Sequence, residues 1–191
     1  MRGPILAIVA LLALPACRSN TGQPSKVPLV SITFLDVGQG DAILIRSRSG
    51  INVLVDGGGD PGKSEDLGGD PGHRVVLPAL RYAGIQSLDW VIATHPDEDH
   101  CQGLVPVLRH FPVKALLAGE GFASGGAGAR LAKWARRRRV PRFVPRFGNR
   151  IDLGEGARID IMNPLPGPVI GSRSPRNDQG IVLRLVAGRA R

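Results

Sequence analysis

The hydrophobic pattern of this chain changes period partway along, and that change restricts the fold more than any other feature. Val30 to Val37 (VSITFLDV) is rich in β-branched residues and runs into Gly38-Gln39-Gly40, which reads as a strand entering a tight turn. Ala42 to Arg46 and Asn52 to Asp56 add two strands on either side of Ser-Arg-Ser-Gly, giving an antiparallel meander. After that the period lengthens. Val75 to Ile85 is helical, Leu88 to Thr94 is an apolar strand, Gln102 to Phe111 is helical again and Val113 to Ala118 is a strand, a β-α-β-α order. Ala129 to Arg139 predicts a basic helix, and Arg150 to Leu153, Ala157 to Met162 and Ile181 to Val186 return to strands. The fold class is therefore mixed α/β, with helices on the outer sides of sheets. Aromatic residues are only 4% of 191, so the core is built from Val, Leu, Ile and Ala. With Cys 2, a disulfide-framed miniprotein is excluded, and the length suits one compact domain. A formal net charge of +9 suits a polyanionic partner, either nucleic acid or an anionic membrane surface.

Two segments read as connections and one as an address. Gly57 to Gly72 repeats GGDPG at Gly58 and Gly68 and predicts a flexible loop, because its Asp residues lack the spacing of a calcium loop. Gly119 to Gly128 is a second glycine-rich loop. Residues 1–17 carry Arg2, an apolar stretch from Ile5 to Leu14, and then Pro15-Ala16-Cys17. That stretch is too short to span a bilayer core of about 30 Å and has the length of a signal-peptide core. Leu14-Pro15-Ala16-Cys17 resembles a bacterial lipobox, which implies acylation of Cys17, residues 18–29 as a polar tether, and an exported lipoprotein anchored in the cell envelope or periplasm. An ordinary secretion signal and a membrane-retained anchor fit the same residues. Cys101 is then left without a disulfide partner and reads as a small buried filler.

One segment carries most of the chemistry. Directly after the apolar strand comes Thr94-His95-Pro96-Asp97-Glu98-Asp99-His100. His95, Asp97, Asp99 and His100 are potential ligands at the carboxyl end of a strand, where open α/β sheets place their sites. Imidazole nitrogen and carboxylate oxygen suit borderline and hard divalent ions. A charged surface turn accounts for any one of these residues, but a metal best neutralises the whole set.

THPDEDH resembles the HxHxDH motif of the metallo-β-lactamase superfamily, in the HxDxDH form of the hydrolase domain of ComEC-type DNA-internalisation competence proteins. FLDVGQGDAILI at Phe34 to Ile45, NVLVDGG at Asn52 to Gly58 and Val75 to Leu104 are similar to that branch in order and spacing. The resemblance covers residues 30–191 and implies a metallo-β-lactamase-like αββα sandwich. Carried over by position, it implies that His95 and Asp97 hold a first ion and Asp99 and His100 a second. Asp56 buttresses the site, while Asp36, Asp41 and the Gly38-Gln39-Gly40 turn line the mouth of the cleft; a turn cap is the structural alternative for Asp41. An aspartate at 97 tilts the preference from zinc toward manganese or iron. The implied activity is hydrolysis by a metal-activated water that Asp99 orients or deprotonates, with a phosphodiester of DNA as substrate.

Arg130 to Arg150 holds nine Lys or Arg and no acid, among them Lys133, Arg136, Arg137, Arg138, Arg139, Arg142 and Arg146, with Trp134, Phe143 and Phe147 interspersed. This composition suits a groove that follows a single strand of DNA by stacking and phosphate contact. A solvated helix face and a surface lying on anionic lipid have the same composition. Asn177 to Leu183 resembles the Asn-x-x-Ser-Leu-Val-Leu strand of the competence branch, with Gly180 in place of serine, so Asn177 is expected to point into the site. The resemblance then calls for a bridging aspartate and a further histidine. The only histidine after His100 is His110. The expectation is a domain incomplete at its C-terminus, with Ile181 to Val186 as a bare edge, either truncated or completed by a partner chain. Three function classes stay open: a metallohydrolase, an envelope-anchored DNA-binding module, and an inactive remnant.

Overall fold

A computed structural model describes residues 27–60, 68–167 and 178–188. The signal segment with Cys17, most of the tether and Asn177 lie outside the described residues. Strands β1 (Val30–Phe34), β2 (Ile43–Ser47) and β3 (Asn52–Val55) form the antiparallel meander, with Phe34 opposite Ile43 and Ile43 opposite Val55. Strands β4 (Trp90–Ala93), β5 (Leu116–Ala118) and β6 (Arg142–Phe143) then add in parallel, giving a six-stranded sheet in sequence order. A second, antiparallel sheet is formed by β7 (Arg150–Gly154), β8 (Ala157–Asn163) and β9 (Val182–Val186). The helices are α1 (Leu77–Tyr82), α2 (Glu98–Cys101), α3 (Leu104–His110) and α4 (Gly126–Arg137).

Strand alternation sorts the apolar side chains into two cores. Leu54, Val91, Leu116 and Ala118 face Leu77, Leu80, Leu104, Leu108 and Leu131 of the helices. Val53, Val55, Ile92 and Leu117 face Ile151, Leu153, Ile159 and Ile161 of the second sheet. The central parallel strands are therefore buried on both faces, which is why Trp90 to Ala93 reads as a continuous apolar run and not as an alternation. No helical residue joins the second core among the described residues. The layers there are helix, sheet and sheet, with Asp160 on the outer side of the small sheet ion-paired to Arg150, Arg158 and Arg184.

The boundaries differ from the sequence expectations for local reasons. A π turn at Gly72–Val76 precedes α1, and at its start buried Asp70 accepts the backbone N–H of His73 and lies 2.6 Å from its ring Nδ1. The helix expected over Gln102 to Phe111 is α3, and the short α2 precedes it across a joint at Gln102 and Gly103. Gly57 and Gly103 touch at that joint, and a Cβ on either would collide with the other's backbone. Gly57, Gly58 and Gly59 are buried, so this described part of the expected flexible loop is a packed segment. The second glycine-rich loop contains a 3₁₀ turn, Glu120–Ala123, that buries Phe122. Strand β6 was not anticipated, since two exposed residues leave no periodicity to read. Strand β9 is an edge, with Val182 54% exposed.

Candidate metal centre

The site is assembled where β3 and β4 end side by side. Val55 pairs with Ile92, and the Asp56 N–H donates to the Ile92 carbonyl at 2.9 Å, so Asp56 and Thr94 emerge next to each other. Asp56 is 2% exposed and adopts φ 54, a left-handed conformation that aspartate tolerates better than bulkier residues. Its carboxylate accepts three hydrogen bonds: Thr94 N–H to Oδ1 at 2.8 Å, Thr94 Oγ1–H to Oδ2 at 2.6 Å, and His100 Nδ1–H to Oδ2 at 2.8 Å. The Thr94 hydroxyl thus spends its hydrogen on the bond to Asp56, and the His95 Nδ1 lies 3.0 Å from the Thr94 hydroxyl oxygen. His95 must therefore donate from Nδ1. One buried carboxylate fixes the tautomer of both rings and leaves both Nε2 lone pairs for another partner.

Those lone pairs converge. His95, Asp99 and His100 each offer a ligand atom, all lying within 4.8 Å of one another, and the two imidazole centroids are 3.9 Å apart. Two imidazoles and a carboxylate are a donor set that suits a divalent ion, and three protein ligands are what a catalytic metal requires. Asp97 stands outside this trio, with Oδ2 3.8 Å from the His95 Nε2, and Asp99 Oδ2 lies 4.0 Å from the His100 Nε2. Burial lowers the His95 pKa, and the neighbouring His100 lowers it further. Burial also acts to lower His100, but the Asp56 hydrogen bond and the surrounding carboxylates outweigh it and raise that pKa. Burial pushes the Cys101 thiol well up, so Cys101 stays protonated and donates to the His95 carbonyl at 2.9 Å.

The turn that carries the trio is clamped from three sides. The Gly57 N–H donates to the His100 carbonyl and the Gly103 N–H to the Gly58 carbonyl. Gly40 and Gly59 lie so close to the carbonyls of Asp99 and Glu98 that a Cβ at either would collide. On the far side Glu98 and Arg130 of α4 form a two-pronged ion pair, 2.6 and 3.2 Å. Thr94, Glu98 and Arg130 are thus parts of the site to which the sequence reading assigned no role, although Thr94 and Glu98 stand inside the motif.

His95 forms part of a cleft of about 900 Å³, also lined by Phe122, Arg146, Phe147, Asn163 and Gln179. Asp36 is placed elsewhere, in a smaller cavity of about 370 Å³ with Gln39, Asp60 and Arg74. Asp41 is exposed, and its carbonyl accepts the Gly58 N–H. Lys133, Arg136, Arg137, Arg138, Arg139, Arg142 and Arg146 are all exposed. Trp134 is half-buried with Arg109 and Arg137 over its ring at 5.3 and 5.1 Å. His110 is exposed beside His73.

Residues 35–178 match the metallo-beta-lactamase superfamily domain, and the chain belongs to that superfamily. It is 26% identical over 194 residues to ComE operon protein 3 of Bacillus subtilis (strain 168), a match covering 97% of this chain and 23% of that protein. It is 36% identical over 85 residues to Recombination protein 2 of Haemophilus influenzae, covering 44% of this chain and 10% of that protein. The chain thus spans less than a quarter of the length of either relative. Among solved structures it is similar to the metallo-beta-lactamase SMB-1 in complex with mercaptoacetic acid, with 17% identity, a TM-score of 0.49, and coverage of 82% of this chain and 53% of that one. No described helix is long and apolar enough to cross a membrane.

Proposed function

We propose that this chain is a metal-dependent hydrolase of phosphodiesters that acts on DNA in connection with its uptake. The observation that carries the reading is the convergence of His95, Asp99 and His100, with both rings oriented by Asp56. A divalent ion held there, zinc or manganese, supplies Lewis acidity and lowers the pKa of a water toward neutrality. The protein's own part is positional. Asp56 orients both rings by taking the hydrogen bond from Nδ1, directly for His100 and through Thr94 for His95, so that each Nε2 would be the nitrogen offered to the ion. Asp99 orients the attacking water and takes its proton. Asp97, beside His95, adds oxygen donors that favour manganese or support a second ion. Arg146 meets the substrate phosphate from the cleft wall. The names of the ComE operon and recombination relatives support nucleic acid as the substrate class.

Metal per chain, measured on protein purified without chelators, is expected to lie between one and two. Hydrolysis of a labelled oligonucleotide is expected to follow the metal and to vanish in His100→Ala. A chain that takes up neither zinc nor manganese at micromolar concentrations ends this reading.

A second reading is a module that holds DNA, favoured by the exposed run Arg136 to Arg139 at the end of α4. Neutralising those four is expected to weaken DNA retention and to reduce the salt slope by about 0.9 per lost contact; unchanged retention refutes it. We also propose, from the sequence, export, acylation at Cys17, contact with anionic lipid and association with a partner chain. Labelling of the wild type but not of Cys17→Ser by a radioactive fatty acid tests the anchor.

A further inference from the structure

Half of the basic and aromatic residues between Arg130 and Arg150 are already engaged within the protein, and Lys133, Arg136, Arg138 and Arg139 stand exposed on or just beyond α4. Arg130 pairs with Glu98, Arg150 with Asp160, and Arg142 donates to the Gly119 carbonyl. Trp134 has two guanidinium groups over its ring, and Phe143 lies against Trp90 with ring centroids 5.4 Å apart. Arg146 and Phe147 are different. Arg146 pairs with no carboxylate among the described residues, and Phe147 is 51% exposed and belongs to neither core. Leaving a large ring in water is unfavourable, and here nothing in the packing requires it. Both residues line the cleft that holds His95.

They are also held rigidly. The Asn149 N–H donates to the Arg146 carbonyl at 3.0 Å, closing a turn with Gly148 at φ 84, where a side chain would be strained. The Arg146 N–H in turn donates to the Asn149 side chain at 2.9 Å. The Phe147 N–H donates to the Pro164 carbonyl, and Gly148 and Asn149 exchange hydrogen bonds with Ile161 of β8. A cation and an open aromatic face on a turn stitched to a sheet, beside a candidate metal centre, form a pre-organised pair for a phosphate and a planar base.

We infer that the Arg146–Phe147 turn is the nucleotide-recognition element of the cleft, stacking an unpaired base on Phe147 while Arg146 takes the adjoining phosphate. This rests on the nucleic-acid reading above and narrows it to single-stranded substrate, because a base within a duplex offers no free face. It also separates the recognition element in the cleft from the basic surface of α4, which supplies only phosphate contacts.

The test is binding by fluorescence anisotropy with the full chain and a chelator present, so that turnover plays no part. The probes are a labelled ten-nucleotide thymidine strand, an abasic strand of equal length, and a ten-base-pair duplex. Phe147→Ala is expected to weaken the thymidine strand about tenfold and to leave the abasic strand and the duplex unchanged. Phe147→Trp restores the affinity, and Arg146→Ala weakens both single strands alike with a shallower salt slope. Equal losses on the thymidine and abasic strands in Phe147→Ala, or no loss on either, overturn the inference. If these patterns hold while metal-loaded wild type cleaves no strand, the hydrolase reading fails and the base-stacking turn stands.

Discussion

The turn from Thr94 to Gly103 and the basic stretch from Lys133 to Phe147 both reach one cleft, the first through Thr94 and His95 and the second through Arg146 and Phe147, but they are held in different ways. In the first, backbone carbonyls meet glycines at contact distance, a buried carboxylate accepts three hydrogen bonds, and a two-pronged ion pair braces the outer side. In the second, Lys133, Arg136 to Arg139, Arg142 and Arg146 are exposed, and most of their charge faces water. A metal-ligand set must be held to within about half an ångström, whereas attraction of a polyanion depends mainly on charge and tolerates mobile side chains. Substitution should therefore be costly in the first region and graded in the second, with the Arg146–Phe147 turn as the ordered exception.

The largest effect is expected at Gly59. In Gly59→Ala the new methyl meets the Glu98 carbonyl, and a loss of about 3 kcal/mol is expected in urea unfolding. A loss below about 1 kcal/mol would show that the turn yields, and the contrast with the basic stretch would weaken. Asp56→Asn comes next. Asparagine also tolerates the left-handed backbone, but its single acceptor oxygen cannot hold both rings in the required tautomer. Zinc affinity measured against a competing chelator is expected to fall 10- to 100-fold, about 1.4 to 2.7 kcal/mol. Unchanged affinity would remove the buttressing role.

The Glu98–Arg130 pair is smaller again. Its side chains are 33% and 41% exposed, so solvent screening limits the coupling in a double-mutant cycle to about 1 kcal/mol, while Arg130→Ala should also loosen metal binding because Glu98 stands between Asp97 and Asp99. A coupling of zero would mean that α4 does not brace the turn. The gentlest prediction lies on the outer side of the small sheet. Arg184, with help from Arg158, holds the Asp160 carboxyl below the usual aspartate pKa. The folded chain therefore releases that proton more readily than the unfolded chain does. The stabilisation is complete above the ordinary aspartate pKa of about 3.9 and is lost as pH falls below it. In Asp160→Asn the acid limb of the thermal midpoint should flatten, and an unchanged limb would assign acid sensitivity to other carboxylates.

The segment from Thr94 to His100 was legible because its chemistry is local. An apolar strand followed at once by two imidazoles and three carboxylates has few uses, and the strand end sets its place in an α/β sheet. The meander was legible for a similar reason, since β-branched runs around short turns pair with their neighbours. The packing at the joint between α2 and α3 was not legible, because it depends on Gly57 meeting Gly103 from 46 positions away in the chain. Strand β6 was too short for any period to show. Nor could the basic stretch be sorted by composition, since Trp134 and Phe147 look alike in sequence while one is covered by guanidinium groups and the other stands open.

The sequence by itself determined the α/β order, the candidate ligands and the excess of positive charge, because these follow from residue type and near-neighbour spacing. Only the tertiary structure decided which nitrogen of each histidine is free, which of the carboxylates joins them, and which arginine and phenylalanine face the cleft. Hydrogen bonds across strand ends and contacts between distant glycines settle those matters, and they exist only once the chain has closed on itself.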